Sequence, residues 1–181
     1  MRVPGIDPDS ADDPVVKQML SKYRENGIKL YVSDFTLDTG IPTVGVLAWD
    51  PETFPEKSEI VWTAGSAPDP QKAFSRALSE TAQLAGDFIS GSNYSASGLP
   101  KFSSISEAGF ITEPDKTNSI NTLPDLSDLN IRVEVERCLA AIAAHGMEAI
   151  SIDTTHPDLG IPALYSIIPG ARFLQRAEAS S

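Results

Sequence analysis

The chain has 181 residues, with 14 Lys and Arg against 25 Asp and Glu, for a formal charge of -11. That length can bury a sizeable core in one domain, while the acidic balance argues against binding to nucleic-acid backbones or anionic lipid. The single Cys138 excludes an internal disulfide and a cysteine zinc site, and no stretch has the apolar length to span a bilayer. A reducing cytoplasm is the expected location, since residues 1–10 also lack the basic and apolar regions of a signal peptide.

Residues 1–10, rich in Pro and Asp, read as an extended lead-in. Ser10 to Pro14 offers helix caps, and Val15, Val16, Met19, Leu20 and Tyr23 then recur at helical spacing until Asn26-Gly27. This predicts a helix over about 13–25. Strands are expected at 28–33, 43–49 and 59–64 from their β-rich composition, with turns between them at 34–42 and 51–57.

A second helix is predicted over 73–83, entered through Gly65-Ser66-Ala67 and Pro68-Asp69-Pro70. At about 100° per residue, Arg76, Glu80, Gln83 and Asp87 fall within roughly 60° on one face. Phe74, Ala77, Leu78, Thr81 and Leu84 fill the other, so the helix has an apolar side to bury. Glu80 could give oxygen to magnesium, Gln83 could ligate the ion or bind a phosphate oxygen, and Arg76 could neutralise phosphate charge. Periodicity alone favours a solvated face, because an Arg and a Glu four apart stabilise a helix without any ligand.

From about 90 to 130 the composition shifts to Ser, Gly, Pro, Asn and Asp, and a long loop-rich excursion is expected. A helix over 132–144 ends at His145-Gly146, followed by strands over 147–152 and 163–168, the last stopped by Pro169-Gly170.

The two ends of the chain repeat each other. Gly27, Asp34, Thr36, Asp38, Gly40, Ile41 and Pro42 match Gly146, Asp153, Thr155, Asp158, Gly160, Ile161 and Pro162, with one residue inserted after Thr155. Each copy is an α-β-turn-β unit, and the short oxygen-bearing side chains suit capping of turn amides. Two copies are too few for a solenoid, so both are expected in one mixed sheet. The resulting fold class is α+β, a mixed sheet with helices on one face, containing two related α-β-turn-β units. The whole chain, 1–181, is expected to be a single partial domain.

Walker loops, dinucleotide fingerprints and nucleophile elbows are absent from the sequence. His145 and His156 lack the spacing of a metal pair. Nothing singles out a catalytic triad.

The stretches VSDFTLDTGIPTVGVL, GSAPDPQKAFSRALSETAQ and SIDTTHPDLGIPALYSIIPG, in that order and with SGLPKF before the last, resemble the YcaO family. The resemblance covers most of the chain but only the C-terminal portion of the family's domain. It implies ATP and Mg2+ as cofactors and phosphorylation of a peptide amide oxygen, leading to azolines, thioamides or amidines. The family's Glu-x-x-Gln motif falls on Glu80 and Gln83, implying a magnesium ligand and a metal or phosphate contact; Arg76 matches its RAL-x-E signature. The catalytic residues are not identified by the match.

Departures accompany the matches. The companion Ser-x-x-x-Glu motif has no counterpart before residue 34. Ala85 and Tyr165 stand where the family often has Arg, Arg172 stands where an acidic residue is common, and the proline-rich tail of azoline-forming members is absent. The implied partners are a missing N-terminal half or partner protein, a sulfur- or nucleophile-delivery protein, and a peptide or protein substrate; homo-oligomerisation is a further expectation, nucleic acid and membrane are not. The alternative is a non-catalytic binding or regulatory module that retains the YcaO-like fold.

Overall fold

The computed structural model describes residues 2–85 and 102–171. These divide into two compact units, one within residues 1–127 and one within 128–173.

The first unit is built on a mixed sheet of order β4-β3-β2-β1-β5. Its strands are β1 (Gly5–Asp7), β2 (Lys29–Asp34), β3 (Thr43–Trp49), β4 (Val61–Ser66) and β5 (Thr117–Ser119). The pairings among β4, β3, β2 and β1 are antiparallel, and β1 pairs parallel with β5. Helix α1 (Pro14–Glu25) starts at Asp13, whose carboxylate accepts from the amides of Val15 and Val16, with Pro14 in a first turn that has no need of its missing N–H. Helix α2 (Pro70–Ala85) starts in the same way: Asp69 accepts from the amides of Gln71 at 2.8 Å and Lys72 at 3.4 Å.

Alternation along the strands sends side chains to two faces. On one, Val32, Val44 and Val46 meet Val16 and Leu20 of α1 and Phe74, Ala77 and Leu78 of α2, all buried. Phe74 is fully buried, so the apolar side of α2 foreseen from its spacing is what seats it. Buried Thr63 and Thr81 interrupt this core, but their hydroxyls lie 2.7 Å apart and each within 3.0 Å of the Ala77 carbonyl oxygen, so one can donate to the other and the other to the carbonyl. The opposite face is covered as well. Leu47 and Ile60 pack there with Ala108 and Ile111, which come from a 3-10 turn (Ile105–Ala108) and the short helix α3 (Gly109–Thr112), amid Tyr31, Phe35, Trp49 and Trp62. The long helices of this unit thus share one face, as expected.

Two strands were not anticipated. β1 lies within the predicted lead-in and β5 within the predicted excursion; each has three residues, and they gain their structure from pairing, β5 with β1 and β1 also with β2, rather than from their own pattern. Phe102 also forms an isolated antiparallel bridge with Ile60. The rest of the singled-out segment, residues 98–101, lies outside the described residues.

The second unit contains α4 (Ile131–Ala144), capped by Asn130, and the antiparallel pair β6 (Ile150–Asp153) and β7 (Leu164–Ile167). Among the described residues, β6 and β7 form their own two-stranded sheet and do not join the first. Ile150, Ile152 and Tyr165 are each at least two-fifths exposed.

The internal repeat is reproduced at its helix ends and in the Asp and Thr bonds that close its turns. Helix α1 ends at Asn26 (φ -95°) and Gly27 (φ 73°), and α4 at His145 (φ -95°) and Gly146 (φ 69°). The following amides return to equivalent carbonyls, Ile28 to Tyr23 and Met147 to Ile142. In the first turn Asp34 accepts from the Thr36 amide at 2.9 Å, and Thr36 accepts from the Thr43 amide at 3.3 Å. In the second, Asp153 accepts from Thr155 at 2.9 Å, and Thr155 accepts from Ala163 at 3.1 Å.

Candidate functional site

A groove of about 410 Å³ lies along the seam between β4 and α2. The strand contributes Ala64, Gly65 and Ser66; the helix contributes Ser75, Arg76, Ser79, Glu80 and Gln83, residues on adjoining ridges of its outer face. Gly65 allows the two elements to approach so closely. A Cβ there would stand 2.3 Å from the carbonyl oxygen of Ala73 and 2.5 Å from the amide nitrogen of Ala77, both backbone atoms of the helix.

The three residues singled out by spacing, Arg76, Glu80 and Gln83, therefore share one groove. Asp87, the fourth member of the stripe, lies outside the described residues. Arg76 donates through Nη1 to the carbonyl oxygen of Ser66 at 2.7 Å. Among the described residues no carboxylate forms an ion pair with it, so the i, i+4 pair with Glu80 that a purely solvated face would favour is not made. Nor do the Glu80 and Gln83 side chains hydrogen-bond within the described residues. A guanidinium offers five N–H donors, and one is used here.

The chemistry of this donor set is that of a mixed anion and cation site. Arg76 and the Ser75 hydroxyl suit anionic oxygens, the Ser66 and Ser79 hydroxyls being already donated to the carbonyls of Pro42 and Ser75; the Glu80 carboxylate and the Gln83 amide oxygen suit a hard divalent ion. Among the described residues there is no group of three or more His, Cys, Asp or Glu able to hold a metal by themselves. Magnesium is commonly held by one or two carboxylates and completed by phosphates and water.

Sequence reasoning overlooked the serines and the Ser66 carbonyl. A signal for Ser75 and Ser79 existed, two weak helix formers four residues apart inside a helix. The Ser66 contact depends on the packing of β4 against α2 and has no local signature.

The other candidates fall elsewhere. His145 and His156 are exposed, and His156 accepts from the Asp158 amide through Nδ1 at 3.3 Å. Cys138 is partly buried, and burial together with nearby Glu134 holds its pKa up, favouring the thiol. Tyr165 is exposed on β7. Arg172 lies outside the described residues. No helix among the described residues is long and apolar enough to cross a membrane.

A family model described as YcaO cyclodehydratase, ATP- and Mg2+-binding, matches residues 1–172. A protein of Methanothermobacter thermautotrophicus is 26% identical over 173 residues, which span 91% of this chain and 45% of that protein. A protein encoded in the tfuA 3' region of Rhizobium leguminosarum bv. trifolii is 26% identical over 176 residues, 91% of this chain and 42% of the relative. The chain thus spans less than half the length of these relatives.

Among solved structures, the heterocyclase TruD superposes with a TM-score of 0.78 at 25% identity, covering 97% of this chain and 24% of that one. A heterocyclase in complex with substrate and cofactor gives 0.75 at 23% identity with the same two shares. YcaO from Methanopyrus kandleri, bound with AMPPCP and Mg2+, gives 0.65 at 22% identity, covering 94% of this chain and 46% of that one. With a family match across nearly its whole length and a fold shared with YcaO heterocyclases, the chain belongs to the YcaO family.

Proposed function

We propose that this chain is the C-terminal part of an ATP- and Mg2+-dependent YcaO-type enzyme, and that the β4–α2 groove is its share of the nucleotide site. The observation that carries the reading is Arg76, a cation without a carboxylate partner among the described residues, set beside Glu80 and Gln83 in one groove. In this reading Glu80 and the Gln83 amide oxygen hold magnesium, and Arg76 contacts phosphate. Bound ATP supplies the phosphoryl group that makes a peptide amide oxygen a leaving group, so that a nucleophile can replace it or cyclise onto it. The chain's own residues bind and orient: Glu80 offsets metal charge, while Arg76, anchored on Ser66, presents its remaining N–H groups without a large reorganisation.

Two protein donors leave an octahedral ion dependent on other oxygens. We therefore assign the remaining donors to an N-terminal half, whether in the same longer protein or in a separate partner, and take the chain alone to be inactive. The substrate class is a peptide or protein, with a sulfur- or nucleophile-delivery protein as the further partner for thioamide or amidine formation. Self-association is a further expectation, and a cytoplasmic location agrees with ATP dependence and a single thiol.

The reading is tested with the complemented protein. Magnesium-dependent ATP turnover should appear on addition of the N-terminal half and vanish in Glu80→Ala. Turnover unchanged by that substitution would remove Glu80 from the site.

A second reading, a binding or regulatory module without catalysis, is favoured by Ala85 and Tyr165 at positions where the family often has Arg. ATP binding with no turnover after complementation would select it.

A further inference from the structure

The two copies of the turn differ at one position in a way that bears on the groove. Both keep the Asp-x-Thr hydrogen bonds, and in both the Thr side chain accepts from the amide of the residue after Pro. That residue is Thr43 in the first copy and Ala163 in the second. The turn therefore closes without a hydroxyl at this position, and the Thr43 hydroxyl, which has the Ile41 carbonyl of its own turn at 3.2 Å, also has a nearer acceptor.

It reaches across the sheet. Thr43 lies opposite Ser66 in the β3–β4 ladder, and its Oγ1 donates to Ser66 Oγ at 3.0 Å. Ser66 Oγ in turn donates to the Pro42 carbonyl at 3.0 Å, and the Ala67 amide reaches the same carbonyl at 3.2 Å. Ser66 is thus held from both sides of its peptide, and its carbonyl oxygen is the one that receives Arg76 at 2.7 Å. The geometry points to Thr43 and Ser66 as positioning residues, whose linked hydroxyls lock the Gly-Ile-Pro turn to the end of β4 and so fix the Arg76 guanidinium for an anionic ligand. This rests on the reading of the groove as the nucleotide site only for the identity of that anion.

The test combines a ligand-free and a ligand-bound readout on the full chain. Thr43→Ala installs the residue that the second copy tolerates, and Ser66→Ala removes the other hydroxyl while leaving the carbonyl. Without ligand, nitrogen NMR of the Arg76 side chain should show faster rotation of the guanidinium in both variants, and Thr43→Ser and Ser66→Thr should restore the slow rate. With Mg2+ and AMPPCP, the complemented protein should bind about three- to tenfold more weakly in either variant, the range that one net hydrogen bond spans. The double variant should lose no more than either single one, since both act through one link.

Unchanged Arg76 rotation in Thr43→Ala overturns the proposal, and so does loss that Thr43→Ser fails to restore, which would mark general disruption. If Arg76 responds as expected but the complemented wild type takes no Mg2+ and AMPPCP, the positioning role stands and the nucleotide assignment falls.

Discussion

Replacing Gly65 with Ala tests the argument that the groove exists because β4 and α2 nearly touch. The added methyl group would meet the Ala73 carbonyl oxygen at 2.3 Å and the Ala77 amide nitrogen at 2.5 Å. Neither atom can swing away as a side chain could. Reaching even a tight 3.4 Å contact requires the helix and strand to part by about 1.1 Å. A displacement of that size loosens Phe74 and Leu78, both fully buried, and stretches the 2.7 Å bond from Arg76 to Ser66 beyond hydrogen-bonding range. Overpacking of this kind costs about 1–3 kcal/mol, which corresponds to roughly 2–12 °C in Tm for a chain of this size. The assay is thermal unfolding, paired with the Arg76 side-chain NMR signal. A Gly65→Ala protein that melts with the wild type and keeps its Arg76 signal would refute the close-approach argument, because the methyl group would then have found room that the backbone does not leave.

Three further outcomes follow from side chains away from the groove. Tyr23 donates its hydroxyl to the Leu78 carbonyl at 2.9 Å, and burial pushes its pKa up to about 12. The folded state therefore holds this proton more tightly than the unfolded chain, so stability is retained below about pH 10 and declines as pH rises toward 12; Tyr23→Phe should flatten that decline in urea titrations. The Thr155 side chain, then its amide, hold the Asp153 carboxyl below its ordinary pKa. Thr155→Val should move the Asp153 NMR titration upward, and an unmoved curve would deny the side-chain bond. Phe74→Ala should cost about 3–5 kcal/mol in denaturant unfolding, the usual loss for a fully buried ring.

How far the sequence led can be judged from α2 and its surroundings. Its apolar side, its entry through Asp69 and Pro70, and the shared face of Arg76, Glu80 and Gln83 were all set by spacing along one element, and spacing along one element is what a sequence displays. The companion strand β4 was placed at 59–64 and is found at 61–66, a shift that brings Gly65 and Ser66 into the strand. That shift matters chemically, because it turns a presumed entry turn into the wall of the groove and the anchor of Arg76. β1 and β5 were missed for a related reason: three-residue strands carry too few alternating positions to declare themselves, and their pairing joins residues 5–7 to 117–119 across more than a hundred positions. The YcaO resemblance directed attention to Glu80 and Gln83, but no motif pointed to the Thr43–Ser66 link, which emerges only when the two repeats are compared atom by atom.

The repeated turn has a consequence beyond its role at the groove. The same bonds close it in the first copy, where Thr36 is 6% exposed, and in the second, where every residue of the flanking strands is exposed. A conformation indifferent to its surroundings is encoded locally, by a carboxylate and a hydroxyl two residues apart and a glycine just before Ile-Pro, with a one-residue insertion tolerated between them. Such a segment is portable: grafted between two antiparallel strands of an unrelated protein, Asp153 to Ala163 should bring its geometry with it, as a ready-made hinge pin for joining strands.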